Sequence, residues 1–502
     1  MRVPRLALEY LSMALLGAAA IAGAIASVLP ADAGAAPGDV DCSGGVTSID
    51  AALILQLSAG RISTLPCPDA ADVNNDGRTN AIDAQLVLQL GAGLIGAFPS
   101  CDITAPPAWA QDEIDAAGPG DTVCLTNGTY DRLFVYQKTG LTIVGVGAPT
   151  TTVIDDPDNH TCLLVIESHD ITIENLRASN CDVQAGFAGD STNVTFRRIE
   201  TAGGPIGVQF QRSTGSIVDS NLHDHDDIGA IVQLDSSVTI QRTDVSHNTF
   251  GIIAQENATL RLLDSDVSDN SQGGVFTLHE TGSTTIDGTR IVNNGLNVFA
   301  GVPGCADLPA GSSDPPQCFL DNPGAYVSDI DITVRDSSVR DSHGTGVVLF
   351  PGVNATLRNS SISGSGLTGL FAWGAHLTAS GNDYANNVEN AIECRAYPGP
   401  SAGDRGLCRL SFEHIHNSLP LGANSLGGGF VSEGGQFDLT DSTIENNWGI
   451  GVQVLHGGLG SVLRNVIRNN GGSAFCISGA GPVTLSGNQE SGNRPGACLG
   501  HP

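Results

Sequence analysis

The fold is decided by residues 229–276, which read GAIVQLDSSVTIQRTDVSHNTFGIIAQENATLRLLDSDVSDNSQGGVF. Gly229, Gly251 and Gly274 each open a short apolar run, at spacings of 22 and 23 residues. A second run follows in each unit, and a turn rich in Asn, Asp and Ser closes it. Apolar and polar residues alternate along the runs, which is typical of strands with one buried face. Since so small a unit cannot bury that face alone, neighbouring units must stack.

The same spacing recurs across residues 102–502 and predicts a mainly β fold. It separates Gly346 from Gly369, for example, by 23 residues. Stacked units of this length give a parallel β-helix of about fourteen coils, with aliphatic side chains inside and Asn at the turns. A helix predicted over residues 108–117 would cap the open end of the first coil.

The opening of this region carries a family resemblance. Residues 117–132, AGPGDTVCLTNGTYDR, and 139–147, TGLTIVGVG, resemble the start of right-handed pectate-lyase-like β-helix proteins. The resemblance implies a right-handed coil and a polysaccharide ligand. The glycine-flanked His and paired-Asp patterns of polygalacturonases are missing, as are the Gln-Asp pattern of pectin esterases and the Tyr-Gly and Asp-Pro-His segments of mannuronan epimerases. The resemblance therefore predicts the fold and leaves the chemistry open.

The charge of the chain limits its partners. The sequence has 53 Asp and Glu against 22 Lys and Arg, a net charge of -31 at pH 7, and no basic run. So acidic a chain cannot neutralise many phosphates, which argues against nucleic acid and against anionic membranes. Cations and neutral ligands are the expected partners.

Residues 1–36 are interpreted as a signal peptide. Arg2 and Arg5 precede an apolar stretch at 11–29, and small residues follow it at 31–35. The alternative is an uncleaved anchor, because about 19 apolar residues can just span a bilayer. No later segment is comparably long and apolar, so we expect an extracellular protein, either secreted or attached to the cell surface.

The twelve cysteines agree with export. Read in order they form six consecutive pairs, and in an exported chain such spacing favours local disulfides over a metal cluster, for which no C-x-x-C is present. The expected pairs are Cys42–Cys67, Cys101–Cys124, Cys162–Cys181, Cys305–Cys318, Cys394–Cys408 and Cys476–Cys498.

Residues 37–101 predict a small α domain with two calcium loops. The segments DVDCSGGVTSID (39–50) and DVNNDGRTNAID (72–83) each run into an apolar helical stretch, at 49–57 and 82–90. Oxygen groups at loop positions 1, 3, 5, 9 and 12, with Gly at position 6, are what a hard cation needs. The predicted Ca²⁺ ligands are Asp39, Asp41, Ser43, Thr47 and Asp50 in the first loop, and Asp72, Asn74, Asp76, the Arg78 carbonyl, Asn80 and Asp83 in the second.

Two such loops, each followed by a helix and closed by Asp, resemble the type I dockerin domain over residues 38–95. The resemblance implies two calcium ions and docking to a cohesin-like partner, commonly to attach a polysaccharide-degrading enzyme to a scaffold. The alternatives are an acidic turn repeat without metal, and a module that only spaces or stabilises its neighbour. The first loop has neutral Ser43 where the second has Asp76, so we expect it to bind calcium more weakly.

Strand alternation predicts which side chains of the β-helix point outward. Residues two and four positions after each opening Gly lie on the outer face, and aromatic residues collect there in the later coils. Exposed rings stack on sugar faces, with amides and carboxylates bonding the hydroxyls. The predicted substrate-binding residues are Phe350, Phe371 and Trp373. The alternative is that two long insertions, at 298–323 and 395–427, cover these rings.

The same outer column supplies the candidate catalytic groups. Should the protein be catalytic, Arg395 is the expected base and Glu393 or Glu433 the expected acid, because they follow the aromatic residues within one to three coils. A secondary candidate cluster occupies turns, where imidazole beside carboxylate suits a cation or acid and base chemistry. Its members are His223, Asp224, His225, Asp226, Asp227 and His247. Asn and His also occupy such turns only to stack on the next coil, which is the alternative here.

Together these features favour a secreted, calcium-binding protein that binds a polysaccharide or degrades it as a lyase or glycoside hydrolase. The competing hypothesis is a non-catalytic surface or adhesion rod, because the catalytic signatures are absent. The acidity of the rod would repel a polyuronate unless calcium bridged the two.

Overall fold

The computed structural model describes residues 35–74, 78–93, 95, 98, 101–146, 149–156, 160–278, 281–301, 329–396, 406–419 and 427–495. The chain divides into two compact units, Met1–Ser100 and Cys101–Pro502. Most of the expected signal peptide, Asp76, and Cys305, Cys318 and Cys498 lie outside the described residues. In the part of the chain that is described, no helix is long and apolar enough to cross a membrane.

The described residues of the first unit form two α-helices, α1 (Ser48–Ser58) and α2 (Ala81–Gly91), and a short 3-10 helix, Pro68–Ala70. Both α-helices begin with a capping box formed by the end of a predicted calcium loop: the Thr47 N–H donates to Asp50 Oδ2 at 2.8 Å, and the Asn80 N–H donates to Asp83 Oδ2 at 2.8 Å. Such boxes satisfy backbone groups that the first helical turn leaves unpaired. Each helix extends one residue beyond its predicted range at both ends.

The second unit is a parallel β-helix of three sheets, which confirms the predicted fold class. Each coil contributes one strand to a first, a second and a third sheet in turn. The 16-stranded first sheet comprises β1 (Ile103–Ala105), β2 (Thr122–Leu125), β5 (Thr142–Gly145), β8 (His169–Glu174), β11 (Thr192–Arg197), β14 (Thr214–Val218), β17 (Ser237–Gln241), β20 (Thr259–Leu263), β23 (Thr281–Asp287), β26 (Asp329–Arg335), β29 (Val353–Arg358), β32 (His376–Ser380), β35 (Leu407–Ser411), β38 (Gln436–Thr440), β41 (Leu459–Leu463) and β44 (Val483–Ser486).

The second sheet has 15 short strands: β3 (Gly128–Tyr130), β6 (Thr152–Asp155), β9 (Arg177–Ser179), β12 (Glu200–Ala202), β15 (Asn221–His223), β18 (Asp244–Ser246), β21 (Asp266–Ser268), β24 (Arg290–Val292), β27 (Ser338–Arg340), β30 (Ser361–Ser363), β33 (Asp383–Ala385), β36 (His414–His416), β39 (Thr443–Glu445), β42 (Val466–Arg468) and β45 (Gln489–Ser491). The third sheet has 14 strands: β4 (Leu133–Tyr136), β7 (Leu163–Ile166), β10 (Gln184–Gly189), β13 (Ile206–Gln211), β16 (Ile228–Gln233), β19 (Phe250–Gln255), β22 (Gly273–Leu278), β25 (Leu296–Gly301), β28 (Val347–Leu349), β31 (Leu370–Trp373), β34 (Ile392–Arg395), β37 (Phe430–Glu433), β40 (Val452–Leu455) and β43 (Phe475–Ser478).

The core lies inside the coil, where the alternation places it. Val208 and Phe210, one and three positions after Gly207, are buried there and pair in register with Ala230 and Val232 of the next coil. Helix α3 (Ala110–Ala116) covers the first coil, as expected. It buries Ala110 and Ile114 against the same core, and the Gln111 amide bonds the Phe134 backbone N–H and C=O at 2.8 Å each.

Corners between sheets are built from residues that tolerate a left-handed backbone. At the corner between the first and second sheets, Asp219, Asp264 and Asp336 have φ between 48° and 53°, which suits Asp and Asn better than most residues. A buried Ser beside each Asp accepts a backbone N–H from the preceding coil, as between Thr243 N and Ser265 Oγ at 3.2 Å. Buried Asn side chains do the same at the corner after the second sheet, as between Asn248 N and Asn270 Oδ1 at 3.0 Å. These corner ladders satisfy polar groups that would otherwise be buried without a partner.

Four disulfides are described, and each joins sequence neighbours as expected: Cys42–Cys67, Cys101–Cys124, Cys162–Cys181 and Cys394–Cys408. The Cys394–Cys408 bond links the third sheet to the first across a predicted insertion. The two remaining pairs include residues outside the described ranges.

Candidate functional site

The outward aromatic residues of the third sheet form a second apolar core. Phe350 and Trp373 are only 1% and 3% exposed, and Phe371 is half-buried. The Trp373 ring centroid lies 5.8 Å from that of Phe350, and the Trp373 Nε1–H donates to the Ala396 carbonyl at 2.9 Å. Their outward direction follows the alternation, but the expectation of exposed rings is wrong for Phe350 and Trp373. A buried ring cannot stack on a sugar.

The predicted catalytic residues lie together beside these rings. Arg395 forms an ion pair with Glu393, and its Nε lies 3.4 Å from Glu433 Oε2. Its guanidinium carbon is 5.6 Å from the centroid of the Phe371 ring. Glu393 is buried and also accepts a hydrogen bond from Asn390 Nδ2 at 3.1 Å. This pairing argues against Arg395 as a base, because a guanidinium keeps its proton in proteins.

The accessible end of this group is a carboxylate and imidazole pair. Glu433 Oε1 lies 2.8 Å from His456 Nδ1, and both side chains are partly open to solvent. We call Glu393, Arg395, Glu433 and His456 the charged row. A carboxylate that orients an imidazole is an arrangement suited to proton transfer near neutral pH.

The secondary cluster divides between the inside and the outside of a turn. The His225 ring is buried, with Nδ1 2.9 Å from the Gly203 carbonyl and Nε2 3.0 Å from Thr201 Oγ1, and burial lowers the pKa of His225. His225 also starts the ladder that continues through Asn248. His223 instead faces outward, where its hydrogen bond lowers the pKa of Asp224. Asp226, Asp227 and His247 are exposed. His225 thus has the stacking role weighed as the alternative.

The first calcium loop collects the carboxylates expected of it. Asp39, Asp41 and Asp50 each offer one oxygen, and these oxygens lie within 4.8 Å of one another. Asp39 and Asp50 are buried, although Asp50 Oδ2 also accepts from the Thr47 hydroxyl at 2.9 Å. Clustered, buried carboxylates fit a hard divalent cation that offsets their charge.

The second calcium loop is described in part. Asn74 and Asp83 are buried, and the Val73 N–H donates to Asp83 Oδ1 at 3.0 Å. Asp83 therefore occupies the position that Asp50 has in the first loop, as the closing carboxylate at the start of a helix. The donors present in this loop also fit a calcium ion.

A cluster that the sequence reasoning missed lies on the outer face of the second sheet. Asp383 Oδ1 is 2.9 Å from His414 Nδ1 and 3.1 Å from His416 Nε2, and the two imidazole rings stack with centroids 4.1 Å apart. Glu445 Oε1 lies 3.1 Å from His414 Nε2. We call these four residues the histidine cluster. Arg468 bonds Glu445 and lowers the pKa of its carboxyl.

A surface cavity of about 520 Å³ adjoins this cluster. Asn417 belongs to the cavity lining and also bonds His416 Nδ1 at 2.7 Å. The most exposed large ring in the lining is Trp448, which is 62% exposed. We call this space the C-terminal cavity; its polar and apolar lining includes Asn417, Leu419, Asn446, Trp448, Asn469 and Arg494.

Comparison with protein families places this geometry in a known group. Residues 158–308 and 323–501, well over half of the chain, match the family model described as the right-handed β-helix region. The chain belongs to this family. Residues 37–89 match the dockerin type I domain. Both resemblances expected from the sequence are thereby confirmed, including the right-handed coil of this β-helix protein.

Solved structures match the chain only at low identity and low TM-score. The A-module of a mannuronan C-5 epimerase from Azotobacter vinelandii is 17% identical, with a TM-score of 0.40, over 84% of this chain and 98% of that module. A surface adhesin of Streptococcus pneumoniae, PfbA, is 12% identical, with a TM-score of 0.33, over 77% of this chain and 87% of its own. No curated protein matches the chain. Likeness at this level concerns architecture and carries no argument on function.

Two candidate features were not predicted from the sequence, for different reasons. His414 and His416 form a His-x-His segment around apolar Ile415, a recognisable signal because residues i and i+2 of a strand share a face. Their carboxylate partner Asp383 is 31 residues from His414, across an insertion that hides the coil count. His456 directly follows β40, one position beyond the second outward residue of that coil, so the alternation does not include it.

Proposed function

We propose that this β-helix protein is an extracellular, calcium-binding protein that holds a polysaccharide in its C-terminal cavity. Its dockerin region would attach it to a cohesin-like partner. The observation that carries the polysaccharide proposal is the open cavity with an exposed indole ring. The dockerin match supports the attachment and the calcium.

The cavity offers both kinds of contact that a sugar uses. Trp448 is 62% exposed, whereas Trp373 is only 3% exposed. Stacking on an exposed ring contributes about 1 kcal/mol beyond area burial. Asn446, Asn469 and Arg494 line the same space, and side chains of these types suit sugar hydroxyls. This placement moves the proposed sugar contacts from the third sheet to the turns that follow the second sheet.

Degradation of the polysaccharide would use the charged row. Glu433 and His456 are accessible and close enough to exchange a proton, while Arg395 supplies positive charge beside them. Glu393 is buried and serves to hold Arg395 in place. A lyase or glycoside hydrolase reaction is therefore proposed at Glu433 and His456, with Arg395 as an electrostatic partner.

A non-catalytic surface or adhesion rod is the second candidate. Two observations favour it: the predicted aromatic platform is buried, and Arg395 is paired with carboxylates on both sides. Under this candidate the rod binds its ligand without turnover, and the charged row only stabilises the third sheet.

Binding to a glycan panel tests the cavity with a matched pair of variants. Trp448→Ala removes the proposed stacking ring, and Trp109→Ala removes a ring of equal exposure, 62%, near helix α3. We expect Trp448→Ala to weaken binding about five- to tenfold, which corresponds to the stacking energy of one ring, and Trp109→Ala to bind normally. Equal loss or no loss in both variants would remove the cavity from the proposal.

Turnover separates the two candidates. We expect the wild-type chain to release reducing sugar or unsaturated uronates from a glycan that it binds, and Glu433→Gln to abolish the release while binding persists. If the chain binds glycans of the panel but degrades none of them, the non-catalytic surface or adhesion role is the better proposal.

Calcium binding is tested on the full chain by disabling one loop at a time. Asp50→Asn removes a ligand from the first loop, and Asp83→Asn removes its counterpart from the second. We expect Asp83→Asn to eliminate the tighter calorimetric phase, because position 5 holds a carboxylate in the second loop and only the Ser43 hydroxyl in the first. Loss of the tighter phase in Asp50→Asn would reverse the ranking.

A further inference from the structure

We propose that Asp383, His414 and His416 form a binding site for one divalent transition-metal ion of the zinc type. The site lies on the outer face of the second sheet, apart from both calcium loops. It does not depend on a sugar in the C-terminal cavity or on turnover at the charged row.

Strand pairing brings the three donors together. β33 and β36 are parallel neighbours in which Asp383 pairs with His414, and His416 follows two residues later on the same face. Asp383 Oδ1 lies 2.9 Å from His414 Nδ1 and 3.1 Å from His416 Nε2. Ligand atoms about 2.0–2.1 Å from a tetrahedral ion are about 3.3 Å from each other. Two of the three separations are therefore already close to what an ion requires, and each of the three residues offers a ligand atom within 4.8 Å of the other two.

The two rings must turn to face one ion. They are now stacked and nearly parallel, at 17°, so their ring planes must rotate until both contain the metal. The terminal torsion of His is soft, and the His414 side chain is 45% exposed, so this ring has room to turn.

A second layer of side chains supports His414 as a ligand. Its Nε2 lies 3.1 Å from Glu445 Oε1, and Arg468 Nε donates to Glu445 Oε2 at 2.6 Å. Histidines that bind metal usually donate their other ring N–H to a carboxylate, which orients the ring and strengthens it as a donor. Glu445 is placed for this role when Nδ1 of His414 binds the ion.

Asn417 provides the corresponding contact to His416. Its side-chain amide lies 2.7 Å from His416 Nδ1. An amide can present either its oxygen or its nitrogen after a half-turn, so Asn417 Oδ1 can accept the Nδ1–H when Nε2 binds the metal. Both imidazoles thus have a partner for the nitrogen that faces away from the ion.

The donor set distinguishes this site from the calcium loops. Two imidazole nitrogens and one carboxylate suit zinc and related ions, whereas calcium takes six to eight oxygens. Three protein ligands leave a fourth position for water or for a bound molecule. Asn417 contacts His416 and also lines the C-terminal cavity, so the proposed metal site and the cavity share this one side chain.

Zinc titration of the full chain by calorimetry tests the site, with the protein first stripped of metal and then saturated with calcium. We expect the wild type to bind one more zinc ion than His416→Ala or Asp383→Asn. His376→Ala, which removes an exposed imidazole on β32 of the first sheet, should bind like the wild type. Glu445→Gln should retain the site with an affinity about 10- to 100-fold weaker.

Cobalt substitution gives an independent readout. Co²⁺ should produce visible d–d bands of a low-coordinate nitrogen and oxygen site in the wild type and in His376→Ala, and these bands should be missing from His416→Ala. His416→Asn serves if the alanine variant misfolds, and thermal unfolding without added zinc checks the fold. The same zinc stoichiometry and the same cobalt spectrum in the wild type and in a folded His416 variant would overturn the proposal.

Discussion

Two stretches of the β-helix follow the same coil geometry but carry different chemistry. We call residues 168–301 the regular stretch and residues 329–470 the irregular stretch. The corner ladder between the first and second sheets runs in the regular stretch from Ser220 through Thr243 and Ser265 to Thr289, all of them Ser or Thr. In the irregular stretch the same ladder continues through Asn382 and then a buried Glu413. The charged row and the histidine cluster lie in this second stretch.

The difference separates the requirements of the fold from those of the chemistry. Coils stack when strands alternate and when small polar side chains accept the backbone N–H of the preceding coil. Neither requirement needs an ionisable group. Glu413, His414 and Arg395 are ionisable residues that stacking does not require. The irregular stretch is therefore where function should be sought. It is also where the free energy of unfolding should depend most on pH.

The largest expected effect is the pH dependence that Glu413 introduces. Burial raises the pKa of Glu413 from its ordinary 4.5 to about 8, although Asn382 donates a backbone hydrogen bond to it at 3.1 Å. The folded state therefore holds the proton more tightly than the unfolded state. The resulting stability is fully present below about pH 4.5 and is lost as the pH rises through about 8, by on the order of 5 kcal/mol in total.

Thermal unfolding from about pH 5 to about pH 9 measures this dependence. Glu413→Gln keeps an amide at the corner and should flatten the decline in melting temperature towards alkaline pH. Glu490→Gln, at an exposed position, is the matched control and should decline like the wild type. If Glu413→Gln and the wild type lose stability in parallel, the ladder tolerates the carboxylate and the two stretches do not differ in this respect.

The next effect concerns the covered face of the third sheet. Trp373→Ala deletes a buried ring and leaves the Ala396 carbonyl without its donor, so it should reduce the free energy of unfolding by about 3–4 kcal/mol. Trp448→Ala, at an exposed ring, should cost less than about 1 kcal/mol. Melting temperatures of both variants at one pH give the comparison. A Trp373→Ala chain as stable as Trp448→Ala would mean that the outer apolar cluster is not a second core.

The smallest effect is expected on the surface of the regular stretch. Arg242 Nη2 lies 3.1 Å from Asp219 Oδ2 of the preceding coil, and both side chains are largely exposed. Such pairs contribute about 0–1 kcal/mol and are screened by salt. Arg242→Ala should therefore shift the melting temperature slightly at low salt and not at high salt. If the melting temperature of Arg242→Ala falls by a large amount even at high salt, the regular stretch depends on this ion pair more than its corner ladders explain.

The sequence predicted those features that repeat. Glycine spacing and alternation predicted the coils, the inward direction of Val208 and the outward direction of Phe350, because each depends on local periodicity. The apolar stretches that follow the two calcium loops predicted helices α1 and α2 to within one residue at each end. Sequential cysteine pairing was predicted because stacked coils keep neighbouring segments close.

Features that depend on distant segments were not predicted. The burial of Phe350 and Trp373 depends on what covers the outer face, and a strand pattern gives only the side to which a residue points. The histidine cluster depends on pairing between β33 and β36, which an insertion of irregular length separates. The C-terminal cavity is formed by turns of successive coils around Trp448. The spacing of these turns in the sequence predicts that the coils stack, but it does not predict the empty volume between the turns.

The register of the regular stretch makes the length of the β-helix adjustable in whole steps. Asp244 pairs with Asp266, and Ser237 pairs with Thr259, so equivalent positions are 22 residues apart. Deletion of residues 244–265 would join Thr243 to Asp266, remove one strand from each sheet and keep the register of the strands that then become neighbours. Duplication of the same segment would lengthen the β-helix by about 4.8 Å. Duplication or deletion of one coil in the gene can therefore change the distance between helix α3 and the charged row by the height of one coil at a time.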